Sequence, residues 1–297
     1  MANTVHDLAR LTIGTDSRCM RLSRLAISLI MVVVLMVLQA FLLISVNKLL
    51  CQSAVEHIRN LYSDYEVQMY HNHTVQLWTG FHRGIPGYFD PMQFNEFSAG
   101  DRQNLCQLPL SHAKYLSSIL FVWTLTCFIE LRLIIYQTIQ VLFATPTVPS
   151  MSQALASTET PHEVEVVGLT LAVKALIGLL VLLPRYICIL VLVWLGCRWL
   201  TATPCLGDVL LNGLALEFIL VLKNLLYESF ASKRSRLVVE RTKFQPVDKF
   251  ERATYRSFSG SIFWVVMAVT FVYAYVFYLQ QVLPAYRWDI HPVCSSE

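Results

Sequence analysis

Charged side chains are scarce in this sequence of 297 residues. Asp, Glu, Lys and Arg together make up 14% of the chain, whereas hydrophobic residues make up 55%. A soluble globular domain carries about 25% charged residues, so this composition is unsuited to a surface that faces water everywhere. The scarcity of charge therefore excludes an ordinary soluble protein, and the mean hydropathy of +0.52 agrees with that exclusion.

Motifs for catalysis are also lacking. The chain has no zinc-type His-Glu-x-x-His pattern, no Gly-x-Ser-x-Gly elbow and no glycine-rich phosphate loop. It has no internal repeat. Its basic residues border apolar segments and are not interleaved with aromatic residues, unlike the surfaces of nucleic-acid-binding proteins. These absences favour a protein without enzymatic activity, cofactor, metal or nucleic-acid partner.

Long apolar segments, by contrast, recur along the chain. A helix needs about 20 residues to cross a hydrocarbon core of about 30 Å, and its backbone groups must find partners within the helix. The sequence therefore predicts an all-α integral membrane bundle of five transmembrane helices with a small external loop domain. The predicted transmembrane helices are 25–47, 115–144, 167–200, 206–227 and 258–283.

The first predicted helix, 25–47, contains no charged residue. A cleaved signal peptide is the alternative interpretation. The apolar region of a signal peptide is usually about 7–15 residues long and ends at a small-residue cleavage site. The segment 25–47 is longer and lacks such a site, which favours a retained membrane anchor.

Basic residues are concentrated in two of the segments that connect the predicted helices. The segment 1–24 has four arginines against two aspartates, and the interval from Lys233 to Arg256 has eight basic residues against three acids. Basic residues near span ends favour the cytoplasmic side, and four crossings between the two segments place both there. The basic interval can also hold anionic lipid headgroups; orientation alone is the alternative explanation.

The charge distribution predicts a topology for a protein of the secretory pathway or plasma membrane. The predicted cytoplasmic segments are 1–24, 145–166 and 228–257, and the predicted external segments are 48–114 and 284–297. A glycosylation sequon, Asn72-His73-Thr74, falls in the first external segment.

Four cysteines fall on the predicted external side, where disulfides can persist. They are Cys51, Cys106, Cys205 and Cys294. Four cysteines allow three pairings. The favoured pairing is Cys51 with Cys106 and Cys205 with Cys294, and unpaired thiols are the alternative.

The third and fourth predicted helices contain charged residues, and the short turn at Thr201 makes these helices antiparallel neighbours. When the chain is folded about this turn, basic residues of the third helix lie at the same depth in the membrane as acidic residues of the fourth. Lys174 and Arg185 are 11 positions apart, as are Glu217 and Glu228, and this spacing returns each pair to within about 20° of one helix face. The predicted pairs are Arg185–Glu217, Lys174–Glu228 and Arg198–Asp208.

Two interpretations of these pairs stay open. A charge in the bilayer centre costs about 2.5–3.5 kcal/mol on insertion scales, so the pairs can form a static ladder that fixes helix register. They can also line an ion or proton path. Glu130 in the second helix is either a third member of the Arg185–Glu217 pair or a partner of nearby Arg132.

One segment of the fourth helix resembles a motif in an uncharacterised family of multi-pass membrane proteins of dinoflagellates and other protists. The segment reads Asp208-Val-Leu-Leu-Asn212-Gly-Leu-Ala-Leu-Glu217-Phe-Ile219 and continues to Leu226-Tyr227-Glu228. The resemblance implies a eukaryotic lineage and no particular activity. The residues themselves favour a structural or accessory subunit of a membrane assembly, with protein partners in the membrane. The alternative is an ion channel or transporter that uses the charges of the third and fourth helices.

Overall fold

The computed structural model describes residues 18–77, 80–150, 155–157, 164–231, 233, 236–237, 242–244, 255–284 and 286–294. Most of these residues are helical. Five helices are long and apolar enough to cross a membrane, so the predicted all-α membrane fold is confirmed. The five spans are Ala26–Met69, Ala113–Ala144, Leu171–Thr201, Leu206–Phe230 and Ile262–Leu279.

All five spans contain α-helix, and the fourth is α-helical throughout. The α-helices are Arg18–Ser45, Gln52–Met69, Ala113–Thr138, Leu171–Ile177, Leu183–Thr201, Leu206–Phe230 and Tyr255–Ala274. The other four spans each include a π-helical segment: Val46–Cys51, Ile139–Ala144, Gly178–Leu182 and Tyr275–Leu279. In the third span the π segment lies just before Pro184, whose ring has no N–H and crowds the preceding turn. The wider π turn accommodates this proline, and the helix continues to Thr201.

The first span is much longer than a bilayer requires. Its 44 residues extend about 66 Å at 1.5 Å per residue, twice the thickness of a hydrocarbon core. The part that follows Cys51 is Gln52–Met69, which carries charged residues but buries one face. The buried apolar residues recur at the spacing of a packed helix: Val55, Ile58, Tyr62, Tyr65 and Met69.

The helix Gln52–Met69 is the largest element of a folded region that we call the head domain, residues 52–111 together with 280–294. The head domain also contains an antiparallel pair, β1 (Thr74–Gln76) and β2 (His82–Gly84). Three short helices follow in the first segment, Pro91–Glu96, Ala99–Cys106 and Pro109–Ser111, and the C-terminal segment adds Ile290–Cys294. Large side chains from both segments form its core, because Tyr62, Tyr65, Leu105, Leu108 and Ile290 are buried.

A disulfide joins the two segments of the head domain. It links Cys106, at the end of one helix, to Cys294, at the end of another, with a sequence separation of 188 residues. The predicted pairs Cys51–Cys106 and Cys205–Cys294 are therefore wrong, and Cys51 and Cys205 are free thiols. The sequence did not show that the C-terminal helix packs on Ala99–Cys106. Cys51 is instead buried inside the π segment of the first span.

The chain divides into two compact units whose boundaries fall inside the helices. The first unit comprises Met1–Leu42, Phe128–Val191 and Ile219–Gly260, and the second comprises Leu43–Cys127, Leu192–Phe218 and Ser261–Glu297. The head domain belongs to the second unit. The first unit contains a small sheet in which β4 (Val164–Val166) pairs antiparallel with β3 (Leu155–Ser157) and parallel with β5 (Thr242–Phe244).

Candidate functional site within the spans

Charged and polar side chains of the second, third and fourth spans meet in the first unit. Glu130 of the second span forms an ion pair with Lys223 of the fourth, and both side chains are about four-fifths buried. The pair neutralises two charges that would each be costly in hydrocarbon. The spans thus contain an intramembrane ion pair, but between two residues that the sequence analysis did not pair.

Arg185 of the third span lies near this pair. Its guanidinium donates a hydrogen bond of 2.6 Å to Oε1 of Gln137, and the negative charge of Glu130 also acts on it. The predicted partner Glu217 is therefore wrong for Arg185. Folding the chain about Thr201 matches residues by depth, but it does not determine the direction in which each side chain points around its helix.

Lys174 has backbone partners in place of its predicted partner, Glu228. Its ammonium group donates to the carbonyl oxygens of Leu142 at 3.2 Å and Thr145 at 2.5 Å, and to the hydroxyl of Thr147 at 3.2 Å. These acceptors lie at the end of the second span, where helix carbonyls have no partner in the helix and a cation is stabilised. Glu228 is exposed, so the predicted pair is wrong.

The third predicted pair, Arg198 with Asp208, does not occur among the ion pairs of the described residues. Asp208 is exposed in the first turn of the fourth span. The N-terminal end of a helix stabilises a negative charge without a basic partner. Arg198 is half-buried in the last turn of the third span, where a cation is similarly favoured.

Glu217 differs from Glu130, the other carboxylate near the middle of the described spans. It lies eleven residues after Leu206 and thirteen before Phe230, about 16 and 20 Å from the two helix ends. It is exposed, and no residue that the structure describes makes an ion pair or hydrogen bond with its carboxylate. A carboxylate at this depth in lipid costs about 2.5–3.5 kcal/mol on insertion scales.

The exposed face around Glu217 forms a continuous stripe along the fourth span. At 100° per residue, its members fall within an arc of about 80°. Glu228, four residues beyond the last of them, is exposed on the same face. The members in the interior of the span are Leu210, Leu214, Glu217, Val221 and Asn224, all of them exposed. The buried residues Leu216, Ile219 and Leu222 lie on the opposite side of the helix. We call this exposed set the Glu217 stripe.

The sequence places Lys223 and Glu217 on different faces of the fourth helix, but it does not show which face packs. Lys223 lies within about 40° of Leu216 and Ile219 on a helical wheel, whereas Glu217 lies about 120° away from it. Both faces are nearly as apolar as each other, so hydrophobicity alone did not reveal which of them packs. The contact with Glu130 determines that the Lys223 face is the packed one. It joins residues 93 positions apart, so local sequence does not indicate it.

A second polar cluster lies in the head domain, and no motif in the sequence indicates it. Glu66 is fully buried and forms an ion pair of 3.0 Å with Arg83, which is also largely buried. The other carboxylate oxygen of Glu66 accepts a hydrogen bond of 3.1 Å from the backbone N–H of Gly84. Arg83 also donates to the carbonyl of Pro284 and lies over the ring of Tyr62, 4.8 Å from its centroid. This arginine therefore ties β2 to both the long helix and the C-terminal segment.

Asp289 adds a carboxyl group to the head domain core. Its Oδ1 accepts a hydrogen bond of 2.9 Å from the hydroxyl of Tyr62. Burial raises the pKa of Asp289 above its ordinary value, although the hydrogen bond from Tyr62 and the charges of Arg287 and Arg83 oppose the rise. The carboxyl group consequently binds a proton more readily in the folded head domain than in an unfolded chain.

Asn72 of the sequon lies in a tight turn between the long helix and β1. Its backbone has a φ of 63°, a left-handed conformation that asparagine tolerates better than most residues. The side chain is exposed. The predicted glycosylation site is therefore accessible in this structure. The predicted lipid-headgroup site between Lys233 and Arg256 lies mostly outside the described residues.

Comparison of the chain with protein-family models, with curated proteins and with solved structures finds no match.

Proposed function

We propose that this chain is a non-enzymatic multi-pass membrane protein that acts as a structural or accessory subunit of a larger membrane assembly. The observation that carries this proposal is Glu217. A carboxylate that is exposed at the middle of a span, and unpartnered among the described residues, is unfavourable in lipid. A neighbouring membrane protein that covers this face removes the carboxylate from lipid.

The partners of the other charges support the same proposal. Glu130 is paired with Lys223, Arg185 with Gln137, and Lys174 with the end of the second span. These contacts join different spans and stabilise their arrangement. They require no transported ion.

The test is the native mass of the assembly. A tagged chain extracted from its own membrane in a mild detergent should form a particle whose protein mass, without the bound detergent, is well above 33.9 kDa, with other membrane proteins in fixed ratio. The control is the same sample in a dissociating detergent, which should give the single chain. A monodisperse single chain in the mild detergent, together with the absence of any cross-linked protein partner in the native membrane, would contradict the proposal.

We also propose that the head domain lies on the lumenal or extracellular side and carries a glycan on Asn72. The disulfide between Cys106 and Cys294 supports this side, because disulfides persist in oxidising compartments. Two pairings support the topology itself. The disulfide joins segments separated by four spans, and β4 and β5 join segments separated by two, so each joined pair emerges on one side of a membrane.

The glycan is tested by digestion with an amidase that removes N-linked glycans. Treatment should increase the gel mobility of the wild-type chain, and Asn72→Gln should give the faster mobility without treatment. Thr74→Ser preserves the sequon and is the matched control. Equal mobility of the untreated wild type and Asn72→Gln would contradict glycosylation at this site.

A channel or transporter is a second candidate, favoured by one observation. Arg185 and Lys223 bring two positive charges to the single carboxylate of Glu130, which leaves this part of the spans with an excess positive charge. Such an excess favours an anion. Chloride flux into liposomes that contain the purified protein, lost in Lys223→Met, would support this candidate over the accessory role.

A further inference from the structure

We propose that the Glu217 stripe binds a transmembrane helix of another protein, and that this helix presents a lysine or arginine to Glu217 near the middle of the bilayer. The proposal rests on the proposed function and deepens it, since it names the contact face and the chemistry of the partner. The first observation behind it is the shape of the stripe, which runs along the axis of the helix. Leu210, Leu214, Val221 and Asn224 flank Glu217 along about 21 Å of the fourth span.

The stripe has the shape of a face that a second helix can pack against. The stripe members follow one another at intervals of four, three, four and three residues, which is the repeat of a face that packs against a second helix. Apolar residues above and below Glu217 contact the partner, and Asn224, two turns away, offers a side-chain amide. An amide on a span surface forms hydrogen bonds with a polar group of a neighbouring helix.

Charge determines which residue the partner must carry at the level of Glu217. A carboxylate in a medium of low dielectric is stabilised most by an opposite charge close to it. The third and fourth spans themselves do not supply this charge, since Arg185 and Lys223 have partners on the packed side. A basic residue on the partner provides both the counter-charge and hydrogen-bond donors.

The second span of another copy does not fit the stripe. The exposed basic residues of the second span are Lys114, in its first turn, and Arg132, so these two are its candidates. The register of the second and fourth spans is fixed by two contacts: the hydroxyl of Tyr115 donates to the carbonyl of Leu206 at 2.9 Å, and Glu130 pairs with Lys223.

The first contact gives an offset of 91 residues in the second unit, which puts Lys114 level with Cys205, and the second contact gives an offset of 93 residues in the first unit. Lys114 is therefore twelve residues, about 18 Å, from Glu217 in depth. Arg132 is consequently level with Leu225 or its neighbours, eight residues beyond Glu217 along the span and about 12 Å away in depth. In a second copy with the same membrane orientation, Arg132 would therefore lie at the level of Asn224. Two copies that met through the stripe itself would oppose their Glu217 carboxylates.

The partner chemistry can be tested with designed peptides. The probes are alternating Leu-Ala transmembrane peptides with Lys, Leu or Glu at the centre, added to vesicles of phosphatidylcholine that contain the full-length protein. Energy transfer between dyes on protein and peptide measures association. We expect half-saturation by the Lys peptide at a peptide-to-lipid ratio about tenfold lower than for the Leu peptide, as for a polar helix contact of ordinary strength.

Variants at one position then test the role of the carboxylate. Glu217→Leu should abolish the preference for the Lys peptide, and Glu217→Lys should transfer it to the Glu peptide. Asp208→Asn, an exposed acid in the first turn of the same span, is the matched control and should keep the wild-type preference. Thermal unfolding in detergent checks that each variant is folded, and Glu217→Gln replaces any variant that is not.

Three outcomes overturn the inference: equal binding of the Lys and Leu peptides to the wild type, a preference that persists in Glu217→Leu, or co-purification of two differently tagged copies that depends on Glu217. The mass of the native assembly shows whether only the stripe inference is wrong or whether the proposed function is wrong as well. A large native complex that keeps its mass in Glu217→Leu refutes the stripe as the interface but leaves the accessory role intact. A wild-type chain that is single in its own membrane refutes both.

Discussion

The ion pair between Glu66 and Arg83 yields a prediction whose size follows from burial. Arg83→Met removes the positive charge and leaves the fully buried Glu66 carboxylate with a single backbone donor, the N–H of Gly84. Removal of one member of a buried pair costs about 3–5 kcal/mol. Because whole domains are stable by about 5–15 kcal/mol, this loss is a large part of the stability of the head domain.

The double variant separates the charge effect from the other roles of the arginine. Arg83→Met combined with Glu66→Leu leaves no buried charge, so most of the lost stability should return. Some loss should persist, since both variants lack the hydrogen bond to the Pro284 carbonyl and the contact with the Tyr62 ring. These two contacts are worth about 1–2 kcal/mol together.

The assay is hydrogen–deuterium exchange of the amides in Gln52–Met69, measured on the full-length protein in detergent micelles. Amides that exchange through opening of the head domain should exchange about a hundredfold to three-thousandfold faster in Arg83→Met, at 1.4 kcal/mol per factor of ten. In the double variant the increase should be about tenfold. Equal acceleration in the single and double variants would refute the reasoning, because it would show that the carboxylate without its partner carries no penalty.

Three further predictions concern the disulfide, the intramembrane pair and the buried aspartate. Cys106→Ser should destabilise the head domain by about 2–5 kcal/mol, measured as faster limited proteolysis, while Cys205→Ser, which removes a free thiol, should leave the cleavage rate unchanged. Lys223→Ala should lower the detergent concentration at which the spans unfold more than Lys223→Ala with Glu130→Ala does, because the single variant leaves an unpaired carboxylate; an equal or larger effect of the double variant would contradict the pair. Since burial raises the pKa of Asp289 above 3.8, the head domain should lose stability as the pH rises from 3.8 through the raised pKa. Asp289→Asn should remove that dependence, and a wild-type slope equal to that of Asp289→Asn between pH 4 and 7 would argue against it.

The number of spans was predictable from the sequence because it depends on a local property. Each span carries its own apolar run, and lipid demands the same length of helix whatever the neighbours are. The fourth span contains Asp208, Glu217 and Lys223, but the rest of it is apolar enough that the sequence predicts a span there. The helical extension Gln52–Met69 also had a local signature in its repeating apolar positions, although its charged residues obscured it.

The charge partners were not predictable in the same way, because they depend on which faces of the helices meet. Counting residues from Thr201 gave the depth of Arg185 and Glu217 correctly enough to place them both near mid-span. The position of a side chain on a helix depends both on its depth in the membrane and on its angle around the helix axis, and counting residues gives only the depth. Gln137 and Glu130, which lie on a helix distant in sequence, decided that angle. For the same reason Cys294 could not be paired, since nothing local to it indicates the helix Ala99–Cys106.

Three glutamates in apolar surroundings show how much the environment decides. Glu66 is buried in the head domain and has Arg83, and Glu130 lies within the spans and has Lys223. Both counter-charges belong to this protein, so each of these two carboxylates stabilises the packing around it. Glu217 has the same chemistry and an equally apolar setting, and its counter-charge is absent from the described residues. Glu66 and Glu130 are neutralised inside the protein, whereas Glu217 faces outward. This outward position is the strongest physical reason to look for the counter-charge of Glu217 in another molecule.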